Sequence, residues 1–408
     1  MDETKITRLV EKALEKGDGM LRLRPCWVAR DFLPPGRRLG LKEEEYDVGE
    51  RGYICERWLA SVTKADNRIS PPDEGLSYLD IEGENLLLRD AVQAAGPLIM
   101  GERYAAGHRG LGRLVKIYDY ATRIHYHLHQ MEPDARKVGK NSKDEAYYFL
   151  EDVDMGAHPE TFFGVHPYIV EQGRQYDLLL PHLEEWNSDL ILKHSRAYLN
   201  APGEGFHLPS GVLHAPGTAL TLELQEDSDV FAMLQARIGD RVTPKELLFK
   251  DVSPEDRRRL GERAVLEQVD WEICADPYFY ENRHLEPVPV EGGGEGGLEQ
   301  WIYYNTTKFS GKRVTVHPGK SYTCRDNGVY NLLVWRGSGT VGGHQVQGGE
   351  HGMDELLVSH HRATRGVEIR NTGSGELVLY TFFGPDINTD IPYIQPYSGI
   401  PRTAADGI

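Results

Sequence analysis

"RIHYHLHQ", Arg123 to Gln130, sets His125, His127 and His129 at alternate positions. Successive side chains of an extended strand point to opposite faces, so this spacing predicts three imidazoles on one face. Inside a small barrel they would be costly filler, because a buried polar group without a partner loses about 1–3 kcal/mol. A bound cation removes that cost, since neutral imidazole and carboxylate are common ligands of first-row divalent metals. Two further stretches supply such groups: "KDEAYYFL" at 143–150 and "PSGVLHAPG" at 209–217.

The surrounding chain has the pattern of β structure. From "LVKIYDYATRIHYHLH" to "HAPGTALTLELQEDSDVFAMLQ", short runs rich in Val, Ile, Tyr, Leu and Thr alternate with turn residues. A second such block runs from Trp301 to about Phe383, punctuated by "HPGKS", "RDNG", "RGSG", "QGGEHG" and "NTGSG". Many short strands at regular spacing predict a sandwich or small barrel, here twice. Between the blocks, "TPKELLFKDVSPEDRRRLGERAVLEQVDW" is helical in pattern, with Ser253 as N-cap and Pro254 at the first helical position. "PVPVEGGGEGGLEQW" has the composition of a flexible linker. At the start, Ile6, Leu9, Val10, Ala13 and Leu14 mark an amphipathic helix, and "GLSYLDIEGENLLLRDAV" predicts a strand, a turn and a helix start. "SHHRATRG", at 359–366, is expected to be a solvated hairpin.

Composition narrows the partners. Lys plus Arg number 46 against 63 Asp plus Glu, a net charge of −17 over 408 residues, with no basic arm. Nucleic acid and anionic membranes reward positive patches, so neither is an expected partner. No segment has the apolar length of a membrane span or secretory signal. Cys26, Cys55, Cys274 and Cys324 are scattered without a Cys-x-x-Cys, which points to a reduced, cytoplasmic protein.

The motifs together resemble the type I mannose-6-phosphate isomerases of the cupin superfamily, most strongly over residues 50–240. "LVKIYDYATRIHYHLHQ" is similar to that family's metal-binding strand, "SKDEAYYFL" to its lysine–glutamate strand, and "PGEGFHLPSGVLHAPGTALTLELQEDSD" to its second histidine motif. "GYICERWLASVTKADN" matches an upstream segment at Glu56, Trp58 and Ser61. The resemblance implies a mainly β fold of two cupin (jelly-roll) barrels with a small helical segment between them. Expected boundaries are 1–105 for an N-terminal part packing on the first barrel and 106–242 for the metal-binding cupin. A helical segment at 243–285, a Gly-rich linker at 286–300 and a degenerate cupin at 301–408 would follow. The resemblance also implies one divalent metal, zinc first with manganese, iron or nickel as alternatives, held by His127, His129, Glu145 and His214. Lys143 and Glu223 become candidate acid–base groups for aldose–ketose isomerisation of a sugar through an enediol, and His125 takes the place of an active-site serine as a candidate proton shuttle.

Two positions depart from the family. His127 replaces a ligand glutamine, and Met233 stands where the family has an arginine. A thioether cannot pair with a phosphate, so a free sugar is as plausible a substrate as a phosphorylated one, unless Arg237 or Arg241 restores the charge. An iron(II) dioxygenase and a non-catalytic carbohydrate-binding cupin stay open as alternatives. His207 is expected to be a strand residue without a role at the site. The second block, with Arg325, Asn327 and Tyr330 where ligands would fall, is expected to hold no metal.

Overall fold

The residues that set the N-terminal helical pattern fold as the helix Glu3–Lys16. Asp2 caps it, its carboxylate accepting from the Lys5 amide at 2.8 Å and so satisfying a first-turn N–H. Ile6 and Val10 enter a hydrophobic core, with Leu9, Ala13 and Leu14 packed at its edge. This computed structural model describes residues 1–291, 294–394, 396 and 397.

Two compact units interleave along the chain. One is built from Met1–Val28, Glu56–Ile117 and Glu286–Tyr393, the other chiefly from Ala29–Cys55 and Tyr118–Leu285. The structure is mainly β, in antiparallel sheets.

The first unit has a seven-stranded sheet in the order Met20–Arg22, Glu355–Val358, Tyr330–Arg336, Leu377–Phe383, Ser310–Val316, Gly297–Tyr303, Val288–Pro289. A four-stranded sheet, Ser321–Cys324, Val367–Asn371, Ser338–Val341 and His344–Gln347, accompanies it. Val314, Leu332 and Leu379 of the larger sheet share one core with Tyr322, Val341 and Ile369 of the smaller, so the two pack face to face. The core also encloses a polar knot. Lys312 Nζ lies 3.0 Å from Glu299 Oε1 and 2.8 Å from Asp326 Oδ1, while the Tyr322 hydroxyl donates to Glu299 Oε2 at 3.0 Å. Opposite Lys312 in register stands Trp301, whose ring centroid is 4.5 Å from the ammonium.

Several segments differ from their sequence pattern. "SHHRATRG" forms the helix His360–Arg365 rather than a hairpin, because Ser359 caps its start and Gly366, at φ 98°, ends it. The described part of the Gly-rich stretch is paired: Val288–Pro289 runs against Gln300 and Trp301, and the next strand begins at Gly297. Gly292 and Gly293 lie outside the described residues. Leu88–Met100 is the expected helix, but the stretch before it makes only isolated pairings, Leu23 with Leu79 and Tyr78 with Leu87. Ser253 does cap Pro254–Leu260, accepting from the Asp256 amide at 3.1 Å.

A second buried ionic group in this unit has a titratable consequence. Arg57 holds Asp354 through two nitrogens, at 2.6 and 2.8 Å, and reaches Glu355 at 3.3 Å; the Ala60 amide donates to Glu355 Oε1 at 2.7 Å. Burial, reinforced by the Asp354 charge, pushes the Glu355 carboxyl up from 4.5 to about 7 in spite of Arg57. The folded state therefore holds this proton more tightly than the unfolded chain. That contribution to stability is fully present below about pH 4.5 and is lost as pH rises through about 7. The interval is worth about 3 kcal/mol at about 1.36 kcal/mol per pH unit. Glu355→Gln keeps the acceptor without titrating, so its stability relative to wild type should rise by roughly that amount across the window. Denaturant unfolding at a series of pH values measures it, and a difference independent of pH would contradict the assignment.

The second unit carries the histidine motif. Its five-stranded sheet runs Ala232–Met233, His127–Leu128, His214–Ala215, Glu160–Phe163, Arg196–Leu199. Four strands of another sheet follow the order His284–Leu285, Gly205–Leu208, Glu145–Phe149, Thr221–Glu226. Leu128, Phe163 and Ala215 from the first share a core with Tyr147, Phe206 and Leu208 from the second. The Phe163 and Phe206 ring centroids, 4.8 Å apart, mark the contact. All four cysteines are buried, and none is in a disulfide. Among the described residues, no helix is long and apolar enough to cross a membrane.

Candidate metal centre

The candidate site lies between the two sheets of the second unit, because each contributes polar side chains from its inner face. His127 and His214 are direct register partners on neighbouring strands of the first sheet. His129 follows two residues beyond His127. Across the gap, Glu145 and Tyr147 alternate on one strand and pair with Gln225 and Glu223 on the next, so all four share a face. The turn before His214 needs a glycine: Gly211 adopts φ +86° while its amide donates to the His129 carbonyl at 2.7 Å. That bond ties the two histidine segments together.

His127, His129 and His214 offer ring nitrogens that all lie within 4.8 Å of one another, and all three side chains are buried. Each Nδ1 is bonded to a backbone carbonyl: His127 to His125 at 2.6 Å, His129 to Val230 at 2.6 Å and His214 to Val212 at 2.8 Å. With Nδ1–H donating, each Nε2 is left as an acceptor, the arrangement by which backbone carbonyls fix the tautomer of metal-binding histidines. The Nε2 of His214 makes no hydrogen bond. It lies 3.4 Å from Glu145 Oε2, while His129 Nε2 lies 2.9 Å from Glu145 Oε1. A buried, hydrogen-bond-poor cluster of lone pairs beside a carboxylate fits a divalent ion.

The electrostatics agree with that fit. Burial, followed by the neighbouring imidazoles, holds His127 well below its ordinary value. Burial and Lys143 bring His129 down to about 4. Both rings are therefore neutral at physiological pH. Burial alone would raise the Glu145 carboxyl, but the Lys143 ammonium beside it holds it well below the usual carboxylate range. Lys143 Nζ is 2.8 Å from Glu145 Oε1 and 3.4 Å from His129 Nε2, so the lysine does face the cluster.

Other expected residues are placed differently. His125 does not join the three imidazoles: its Nε2 is 2.7 Å from Thr243 Oγ1, and burial with the nearby Arg241 lowers it to about 3. His125 lies just before the paired strand His127–Leu128, and beside it the Tyr126 carbonyl accepts from both Leu234 and Gln235, at 2.7 and 3.0 Å, the two-against-one pattern of a bulge in the facing segment. Glu223 is buried on the site's face, opposite Tyr147. His207 pairs with Ala146 and so faces away from the site. Met233 pairs with His127. Arg237 folds back on its own hairpin, bonding the Gly239 carbonyl at 2.7 Å.

Sequence reasoning missed Tyr147. Its hydroxyl donates to Glu145 Oε2 at 2.7 Å, which orients the carboxylate from the side away from Lys143. The signal was available, since Tyr147 stands two residues after Glu145 and must share its face.

No family model matches this chain, and no curated protein does. Solved structures do. A mannose 6-phosphate isomerase from Bacillus subtilis aligns with 89% of this chain and 99% of its own at a TM-score of 0.58 and 15% identity. A zinc-bound mannose 6-phosphate isomerase aligns with 90% and 100% at a TM-score of 0.59 and 12% identity. The chain has the fold of the mannose-6-phosphate isomerases. A mutant of phosphomannose isomerase from Salmonella typhimurium agrees, with a TM-score of 0.59 over 90% of this chain and all of its own, at 12% identity. At such identities the likeness is one of architecture, and within that isomerase fold this chain's own side chains define the site.

Proposed function

We propose that this protein is a metal-dependent aldose–ketose isomerase acting on a sugar or a closely related hydroxycarbonyl compound, with its two β units serving as a metal-binding cupin barrel and a second cupin without a metal. The observation that carries this reading is the convergence of three buried, tautomer-fixed imidazoles inside a fold shared with mannose-6-phosphate isomerases. His127, His129 and His214, with Glu145, would hold the ion, zinc first. When bound, a divalent ion polarises the carbonyl and hydroxyl oxygens of an open-chain sugar.

The chain's own groups then move the proton. Glu223, a carboxylate buried on the site's face, would take the proton from carbon two, leaving its electron pair in the enediol double bond, and return it to carbon one. Lys143, ion-paired with Glu145, donates to the sugar oxygen that gains charge. Tyr147 keeps Glu145 in place. His125 contributes through its carbonyl, which holds His127, rather than as a proton shuttle.

Substrate choice follows from Met233. A side chain beside His127 that cannot form charge-assisted hydrogen bonds denies a phosphate about 1.5–3 kcal/mol per bond. That is about one to two decades in affinity at ~1.4 kcal/mol per decade. Metal-reconstituted protein, assayed on matched free and phosphorylated aldoses and ketoses, should exchange the carbon-two proton with solvent and show little preference for the phosphate. Met233→Arg should shift kcat/KM toward the phosphate ester. A wild-type preference for phosphate of about a hundredfold or more would refute the substrate assignment. Oxygen uptake without sugar turnover would instead make the protein an oxygenase.

A further inference from the structure

Away from this centre, the second unit brings two other histidines together. The helix Gln175–Glu185 carries His182 in its last turn, and the short 3-10 turn Leu190–His194 ends on His194. Between them, Trp186 takes the left-handed conformation at φ 47° and anchors the reversal, its indole N–H donating to the Thr243 carbonyl at 2.7 Å. The reversal places His182 Nε2 3.4 Å from His194 Nε2, with the ring planes at 51°.

That distance has a coordination meaning. A tetrahedral ion with metal–nitrogen bonds of about 2.0–2.1 Å separates two ligand nitrogens by about 3.4 Å. Square-planar neighbours at the same bond length would sit about 2.9 Å apart. His194 is buried and His182 partly exposed, so one ring is fixed while the other opens to solvent. Burial lowers both imidazoles, His194 to about 4, which leaves their nitrogen lone pairs unprotonated at neutral pH. The surrounding charges are positive at Lys193 and Arg174 and negative at Glu185. This balance disfavours hard cations held by charge alone, whereas a borderline ion bonds the imidazole lone pairs directly.

We propose that His182 and His194 form a second metal site, selective for tetrahedral borderline ions such as zinc, that clips the helix to the turn after it. Solvent would complete the coordination. The ordinary alternative is a single N–H···N hydrogen bond between two neutral rings.

The two are separated by equilibrium dialysis of protein already loaded at the first centre, comparing wild type with His182→Gln against zinc and, in parallel, magnesium. Wild type should take up one zinc equivalent more than His182→Gln, neither should take up extra magnesium, and zinc should raise the melting temperature of wild type alone. Equal zinc uptake by the two proteins, or uptake of magnesium matching that of zinc, would overturn the proposal. His214→Ala serves as the reciprocal control, because it should lose the first site's ion and keep the His182-dependent one.

Discussion

Alanine at His214 should leave the chain folded and empty of its principal metal, with sugar turnover reduced about a thousandfold or more. The fold should survive because the second unit has its own apolar core, which includes Leu128, Phe163, Ala215 and Phe206. The metal should not, because His214 stands in register with His127 and closes the three-nitrogen group. Losing the ion removes several kcal/mol of charge stabilisation at the developing oxyanion, and three decades correspond to about 4 kcal/mol at about 1.36 kcal/mol per decade. Metal content by elemental analysis, circular dichroism and turnover should be measured together. A full metal complement in the variant would sink the ligand assignment, whereas an empty site with normal turnover would sink the metal's role.

Lys312→Met should destabilise the first unit by about 3–5 kcal/mol, the range expected when one partner of a buried charge group is removed. The ammonium is enclosed by Glu299, Asp326 and Trp301, and methionine matches its apolar stem while leaving two carboxylates without a counter-charge. Burial already raises the Asp326 carboxyl despite Lys312. Without the lysine, the Asp326 carboxyl should bind a proton more readily still, so the deficit should shrink as pH falls toward the carboxylate range. Denaturant midpoints for wild type and variant at neutral and mildly acidic pH give the test. A deficit under about 1 kcal/mol, or one that grows on acidification, would show that the knot is solvated.

How far the sequence could be read depended on the range of the interaction. The Ser253 cap and the amphipathic first helix were legible because each is settled by groups a few residues apart. His-x-His was legible for the same reason at His127 and His129, where alternation holds. It failed at His125, which lies before the paired strand and whose ring meets Thr243, more than a hundred residues on. "SHHRATRG" is a helix instead of the expected hairpin because the Ser359 cap and the terminal Gly366 at its two ends define one.

By itself, then, the sequence determined a β-rich chain, the shared face of His127 and His129 and the nearness of Lys143 to Glu145, since side-chain alternation is a property of the local backbone. Only the tertiary structure decided that Met20–Arg22 pairs with Glu355–Val358, that Glu145 meets His129 and His214 from a different sheet, and that Glu299, Lys312 and Asp326 neutralise one another inside a core. Such partners are chosen by which faces can be buried together once distant segments have been brought into contact. No local pattern records that choice, because its energy resides in complementarity between segments rather than within either one.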